Sequence, residues 1–295
     1  MNIINYSDNV YSQSGEDGII KQLLSLISES HPLSKWCVEF GAWDGKFLSN
    51  TFNLVKNHSY KGVYIESNTK HFIDLKNNMK LFDVICLNTY VGINTHDNID
   101  YILSSTPIPD NFDVLSIDID GCDFFILESI KNYRPKIIII EYNPTIPNDV
   151  YFVQQPDFSV NHGASALAIQ KLAQSKDYIV VAVTATNLIL LDKKYIKNEW
   201  NIISDLSTLM PEKNTKIVIF FGYDGTVLCN TNTIIYPWLG LSFLPKDLQV
   251  IPKYLRKYNR SFIQKILLGI YIFSIKPHSL NVDHLKKSLF WLFKK

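Results

Sequence analysis

The sequence predicts an α/β fold: an open, mostly parallel seven-stranded sheet with a helical extension at the C-terminal end. Three observations predict it. Short apolar runs suited to buried parallel strands recur at Trp36–Phe40, Tyr60–Glu66, Phe82–Leu87, Asn111–Asp118 and Lys136–Glu141. Acids or amides stand at the ends of these runs, at Glu39, Glu66, Asn88, Asp118 and Glu141, and helix-patterned segments separate most of them. Finally, Tyr178–Thr184 and Asn187–Leu191 are β-rich and joined by two residues, a hairpin that ends the sheet on an antiparallel strand.

The first element is an amphipathic helix over Gly18–Ser28, with Ile19, Ile20, Leu23, Leu24 and Ile27 on one face. Before it, Ser14 and Asp17 of YSQSGED form a candidate capping box, and a plain helix N-terminus is the alternative. The first strand runs into Glu39, Gly41, Ala42, Trp43, Asp44 and Gly45, an E-x-G-x-x-x-G turn. Glycines at the carboxyl end of a first strand let the backbone approach a nucleotide-like ligand in the crevice there. The G-x-G-x-x-G fingerprint that seats a pyrophosphate is absent, and Glu39 and Asp44 would repel one. A ligand with a cationic centre and an amino group, such as S-adenosylmethionine, fits better; a glycine turn with a solvated acid is the alternative.

Phe47–Asn57 reads as the first crossover helix. Glu66 ends the second strand, where a carboxylate can accept both ribose hydroxyl protons, or else cap the helix over Thr69–Asn77. Asn88 ends the third, with an amide suited to an adenine edge. Asp118, Asp120 and Asp123 gather after the fourth strand, and Glu141 and Asn143 emerge beside them after the fifth. Uncompensated carboxylates repel, so solvent, a cation or a cationic ligand belongs there. Oxygen donors from two adjacent strand ends suit a hard cation, with Asp120, Glu141 and Asn143 as the candidate Mg2+ or Mn2+ ligands. The long loop Val150–Ser165 leads into a helix over Ala164–Gln174 and carries His162, either a structural histidine or a catalytic base. Lys216–Phe221 and Thr226–Cys229 form a further hairpin.

Composition is globular, with 46% hydrophobic and 19% charged residues. A net charge of +1 argues against a general nucleic-acid binder. Four dispersed cysteines, Cys37, Cys86, Cys122 and Cys229, without a C-x-x-C pair, read as reduced core thiols of a cytosolic protein. No signal peptide or spanning helix is expected. Charge is divided unevenly: 11 of the 29 Lys+Arg but 2 of the 28 Asp+Glu lie beyond Pro245. That tail comprises Lys253–Arg260, FIQKILLGIYIFSI, and a final stretch with Leu285, Leu289, Leu292 and Phe293 against Lys286, Lys287, Lys294 and Lys295. It reads as helices that cover the domain or a second subunit, or as an interfacial anchor on the inner face of a membrane.

The segments YSQSGED, VEFGAWDG, GVYIE, FDVLSIDIDGCD and IIIIEYNP, in that order, resemble the FkbM-type family of S-adenosylmethionine-dependent methyltransferases. The resemblance implies a Rossmann-like class I methyltransferase fold and O-methylation, often of sugars or natural-product hydroxyls. The candidate cofactor contacts are then Gln13, Glu16, Glu39, Gly41, Ala42, Asp44, Gly45, Glu66, Asn88 and Asp118, and the candidate catalytic groups Asp118, Asp120 and His162. Where many members carry a V-E-G-type acid this sequence has Asp120, followed by CDFF, which puts the substrate contacts in doubt. By analogy with catechol-type enzymes, Asp118, Asp120, Glu141 and Asn143 are similar in position to magnesium ligands. The expected organisation is a lead-in over 1–34, the methyltransferase core over 35–195, a hairpin cap over 196–245 and the basic tail over 246–295. A silent nucleoside-binding scaffold and an NAD-dependent enzyme are the rival readings, and homo-oligomers are compatible with all three.

Overall fold

A computed structural model describes residues 1–210, 217–236, 239–258 and 261–275. The chain divides into two compact units, Met1–Asn214 and Thr215–Lys295.

The first unit is built on a seven-stranded sheet. Its strands are β1 (Trp36–Phe40), β2 (Lys61–Ile65), β3 (Val84–Leu87), β4 (Val114–Ile117), β5 (Ile137–Glu141), β6 (Tyr178–Val183) and β7 (Asn187–Asp192). They lie in the order β3-β2-β1-β4-β5-β7-β6. The first five are parallel and β7 runs antiparallel to both neighbours. This is the Rossmann-like, mostly parallel seven-stranded sheet that the sequence predicts.

Each strand buries alternate residues on opposite faces, so the near-continuous apolar runs are explained by helices on both sides. Val38, Phe40, Leu115, Ile117, Ile138 and Ile140 face one core, with α4 (Ile99–Leu103), α5 (Asp123–Ser129) and α6 (Ala166–Ser175) over them. Cys37, Tyr64, Val114, Ile137 and Ile139 face the other, under α1 (Glu16–Ser28), α2 (Phe52–Asn57) and α3 (Thr69–Asn78). In β6 a bulge between Val180 and Ala182 interrupts this alternation, and Val181 and Ala182 both enter the second core.

Beneath the sheet, at the opposite end from the acids, a buried ion pair ties three elements together. The Asp113 carboxylate accepts from Ser34 N at 3.0 Å, Lys35 N at 2.9 Å and Lys136 Nζ at 2.7 Å. Lys136 Nζ also donates to Asn111 O at 2.8 Å, so the buried ammonium is compensated by charge and carbonyl together.

Two local expectations are corrected. Helix α2 starts at Phe52, not Phe47, because Glu39 captures the preceding loop through Ser49, Asn50 and Thr51. Before α1 there is no capping box: the Asp17 Oδ2 accepts from the backbone N–H of Val10, Tyr11 and Ser12 at 2.7–2.9 Å, and Gly15 at φ 101° occupies the N-cap. Asp17 thus curls the lead-in loop over itself.

The second unit contains two hairpins, β8 (Ile219–Phe221) with β9 (Val227–Cys229) and β10 (Ile234–Tyr236) with β11 (Leu241–Phe243), followed by α8 (Phe262–Ile275). The first hairpin was expected, although Lys216 lies outside the described residues; the second was not. The tail residues Leu285, Lys286, Lys287, Leu289, Leu292, Phe293, Lys294 and Lys295 also lie outside the described residues.

Candidate active site

In an open α/β sheet ligands enter where the strand order reverses, here at the carboxyl ends of β1 and β4. At that point Gly41 has φ 71°, and a Cβ on it would lie 1.8 Å from Asp118 O. The β1 and β4 loops therefore touch through a residue that must be glycine, both for its φ and for the approach. The first glycine of the E-x-G motif thus serves the packing of one loop on the other. Gly45, at φ 78°, is equally enclosed, against Leu75 and Met79.

Glu66 joins the loops after β1 and β2. One carboxylate oxygen accepts from Trp43 N at 2.9 Å and the other from Asn68 N at 2.6 Å. A carboxylate offers about four acceptor positions, so two remain for a ligand's hydroxyls. Asn68, not Glu66, caps α3, accepting from Lys70 N and His71 N. The Asn88 amide donates to Glu66 O at 2.8 Å and Ser67 O at 3.2 Å, which leaves its own carbonyl oxygen for a base edge. Ala42 N donates to Ile65 O at 3.2 Å, and Asp44 Oδ1 accepts from Lys46 N and Phe47 N at 2.9 and 2.8 Å.

Other expected cofactor contacts are spent inside the protein. Glu39 is buried, and Ser49 Oγ, Thr51 Oγ1 and the amides of Asn50 and Thr51 all donate to it. Burial pushes its carboxyl up, against the opposing pull of those donors. Glu16 is fully buried: it accepts from Ser14 N, Thr184 Oγ1 and Asn187 Nδ2, at 2.7, 2.6 and 3.1 Å. Both acids hold loops in place through these bonds. Gln13 is exposed, and its carbonyl accepts from Asn9 Nδ2 at 3.1 Å.

The strongest electrostatic feature is a trio of carboxylates. Oxygens of Asp118, Asp120 and Glu141 lie within 4.8 Å of one another. Asp120 stands at φ 57°, in the left-handed region that Asp tolerates better than most residues. Beside the trio, buried Asp123 accepts from Ile119 N at 3.0 Å and Gly121 N at 2.9 Å, stapling the loop. Asp118 is open to solvent although protein crowds it on most sides. Crowding first, then repulsion by Asp123 and Asp120, pushes its carboxyl up to about 7. Burial, then Asp118 and Asp123, pushes Glu141 up to about 9. Burial raises Asp123 to about 6, held back by its two amide donors. Such a cluster takes up protons or a cation.

Asn143, expected to complete a metal set, has its side chain engaged by neighbouring loop residues. Its Nδ2 donates to His162 O at 2.9 Å and its Oδ1 accepts from Thr145 N and Oγ1 at 2.9 and 2.6 Å. Asp118 takes its place in the trio. The imidazole of His162 makes no hydrogen bond in the described structure; its backbone N–H donates to Gln154 Oε1 at 2.8 Å. Gln154, which no sequence motif marks, organises the long loop: Oε1 also accepts from Gly163 N, and Nε2 donates to Val160 O at 2.7 Å. Two aromatic features also went unread. Trp43 stacks on His71 with centroids 4.1 Å apart, and Tyr90 meets Phe158 edge-on at 4.9 Å. An exposed aromatic in a glycine turn was the available signal for the first; nothing in the linear pattern joins Tyr90 to Phe158.

Residues 87–180 match the family model described as the methyltransferase FkbM domain. Among solved structures, the N-terminal domain of EvdMO1 in the presence of SAH and D-fucose is similar at 10% identity, over 63% of this chain and 84% of that one, with a TM-score of 0.40. TrmK of M. capricolum in complex with S-adenosyl-homocysteine is similar at 14% identity, over 92% and 93% of the two chains, with a TM-score of 0.37. The O-methyltransferase from Bacillus cereus in complex with SAH is similar at 14%, over 65% and 100%, with a TM-score of 0.37. No curated protein matches the chain.

Proposed function

We infer that this chain, with its FkbM methyltransferase match over residues 87–180 and its class I sheet, is an S-adenosylmethionine-dependent methyltransferase, and we propose that its acceptor is a hydroxyl of a sugar or glycan. The residues present fit the cofactor: Gly41 lets the β1 and β4 loops meet at the point where the strand order reverses, and Glu66 keeps acceptor positions for ribose hydroxyls. When bound, S-adenosylmethionine supplies an electrophilic methyl and a positive charge. The surplus of carboxylates at the sheet edge offsets that charge.

The carboxylate trio is the observation that carries the hydroxyl reading. A sugar hydroxyl is a poor nucleophile at neutral pH and must lose its proton to a positioned base. Asp118, raised to about 7, takes up a proton near neutrality, the range in which a general base works best. Asp120 and Glu141 surround it, and the proton passes from there to solvent, to which Asp118 is open. Aligning the acceptor oxygen is the larger part of the acceleration. The same three oxygens fit a hard divalent cation, Mg2+ or Mn2+, which would supply Lewis-acid activation of the hydroxyl.

The test is mass spectrometry of a panel of sugar nucleotides and oligosaccharides incubated with the protein and S-adenosylmethionine. The proposal expects one or more methyl ethers, lost in Asp118→Asn. Methylation confined to amine or carbon acceptors would refute the hydroxyl assignment while leaving the methyltransferase intact.

A further inference from the structure

The second unit is basic and carries exposed apolar side chains. From Thr215 onward the chain holds 12 of its 29 Lys+Arg but 3 of its 28 Asp+Glu. Helix α8 is 14 residues long and has a half-buried side, with Gln264, Lys265, Leu268 and Tyr271, and an exposed one. One is anchored: Tyr271 OH donates to Val250 O at 2.7 Å. The other is bare, with Phe262 64%, Ile263 69% and Ile270 61% exposed, and Ile266 and Leu267 between them at the spacing of a helical stripe. At the end of the preceding segment Tyr258 is 73% exposed, and its ring meets Tyr223, at the tip of the β8–β9 hairpin, edge-on at 6.1 Å. Lys246, Lys253 and Lys257 are exposed in the same unit.

We propose that this face docks on an anionic lipid bilayer, with the apolar side of α8 lying in the interface. The chemistry matches on three counts. An apolar helical stripe supplies the buried area, tyrosines suit the headgroup level, and lysines meet anionic lipids. No described helix is long and apolar enough to cross a membrane. A second copy of the same face is disfavoured by charge, because pairing two such cationic surfaces sets like charges opposite each other. The inference concerns the second unit alone and holds whichever acceptor the first unit methylates.

Sedimentation of the full chain with phosphatidylcholine vesicles, with and without phosphatidylglycerol, tests it. Binding is expected only to the anionic vesicles at ~0.1 M salt and is expected to be lost near ~1 M, where screening is complete within a few ångströms. At about 1 kcal/mol per basic residue, K246Q/K253Q/K257Q lowers the partition coefficient about a hundredfold. I263E/I270E, at exposed positions, removes binding without shifting the melting temperature. Equal binding to neutral vesicles, or an unchanged partition in the lysine variant, would overturn the proposal. So would a dimer in analytical ultracentrifugation that I263E/I270E dissociates, since a second copy would then cover the face. The lysine variant keeps the test decisive if the glutamates disturb folding.

Discussion

Replacing Glu66 by alanine separates loop positioning from ligand binding at one residue. The wild-type carboxylate is buried and holds Trp43 N and Asn68 N, at 2.9 and 2.6 Å. Hydrogen bonds to a charged group contribute about 1.5–3 kcal/mol each, and water entering the vacated space recovers part of that. Unliganded Glu66→Ala is therefore expected to lose about 2–3 kcal/mol of stability. The ribose hydroxyls lose their charged acceptors as well, about 1–3 kcal/mol, or roughly 5- to 150-fold in Kd. Glu66→Gln keeps one carbonyl acceptor for one of the two amides and presents an NH2 to the other, so both effects should be intermediate. Calorimetric titration with S-adenosylhomocysteine, alongside thermal melts, measures the two quantities separately. Variants that melt early yet bind with wild-type affinity would refute the ligand role and leave Glu66 as a loop staple.

Three further outcomes are expected. Lys136→Met strands the buried Asp113 carboxylate and should cost about 3–5 kcal/mol, read by urea denaturation; a variant of wild-type stability would show that the pair is not needed for folding. Asp118 titrates near 7 in the folded protein against 3.8 when unfolded, so its contribution to stability is complete below 3.8 and is lost as pH climbs through about 7. Glu141 extends that loss to about 9, so the unliganded protein should melt lower at pH 8 than at pH 5, less steeply in Asp118→Asn, while turnover should rise through about 7. Should a divalent cation be required, chelation will abolish turnover and leave S-adenosylhomocysteine affinity intact, with Mg2+ or Mn2+ restoring activity and D120N/E141Q mimicking the chelator; full activity in chelator would assign the work to Asp118 as base.

The sheet was legible because its strands are buried on both faces and so stand out as apolar runs, as in KIIIIE. Gly41 was legible because its φ and the approach of Asp118 O admit no side chain. What Glu39 does was not. An acid at a strand end reads the same whether it faces a ligand or, as here, turns toward Ser49 and Thr51. Asn143 was misread for a related reason: its register places it near the acids, but a local turn onto Thr145 claims its oxygen. The start of α2 was set by those long-range bonds to Glu39, which no local propensity encodes.

The proposed seat of S-adenosylmethionine is the crevice between β1 and β4. Calorimetry with S-adenosylhomocysteine on the wild-type chain and on Gly41→Val tests it most directly, with NAD as the control ligand. One bound S-adenosylhomocysteine per chain is expected, with no binding by a folded Gly41→Val and no heat from NAD. Binding of NAD in place of S-adenosylhomocysteine, or undiminished binding by Gly41→Val, would contradict it.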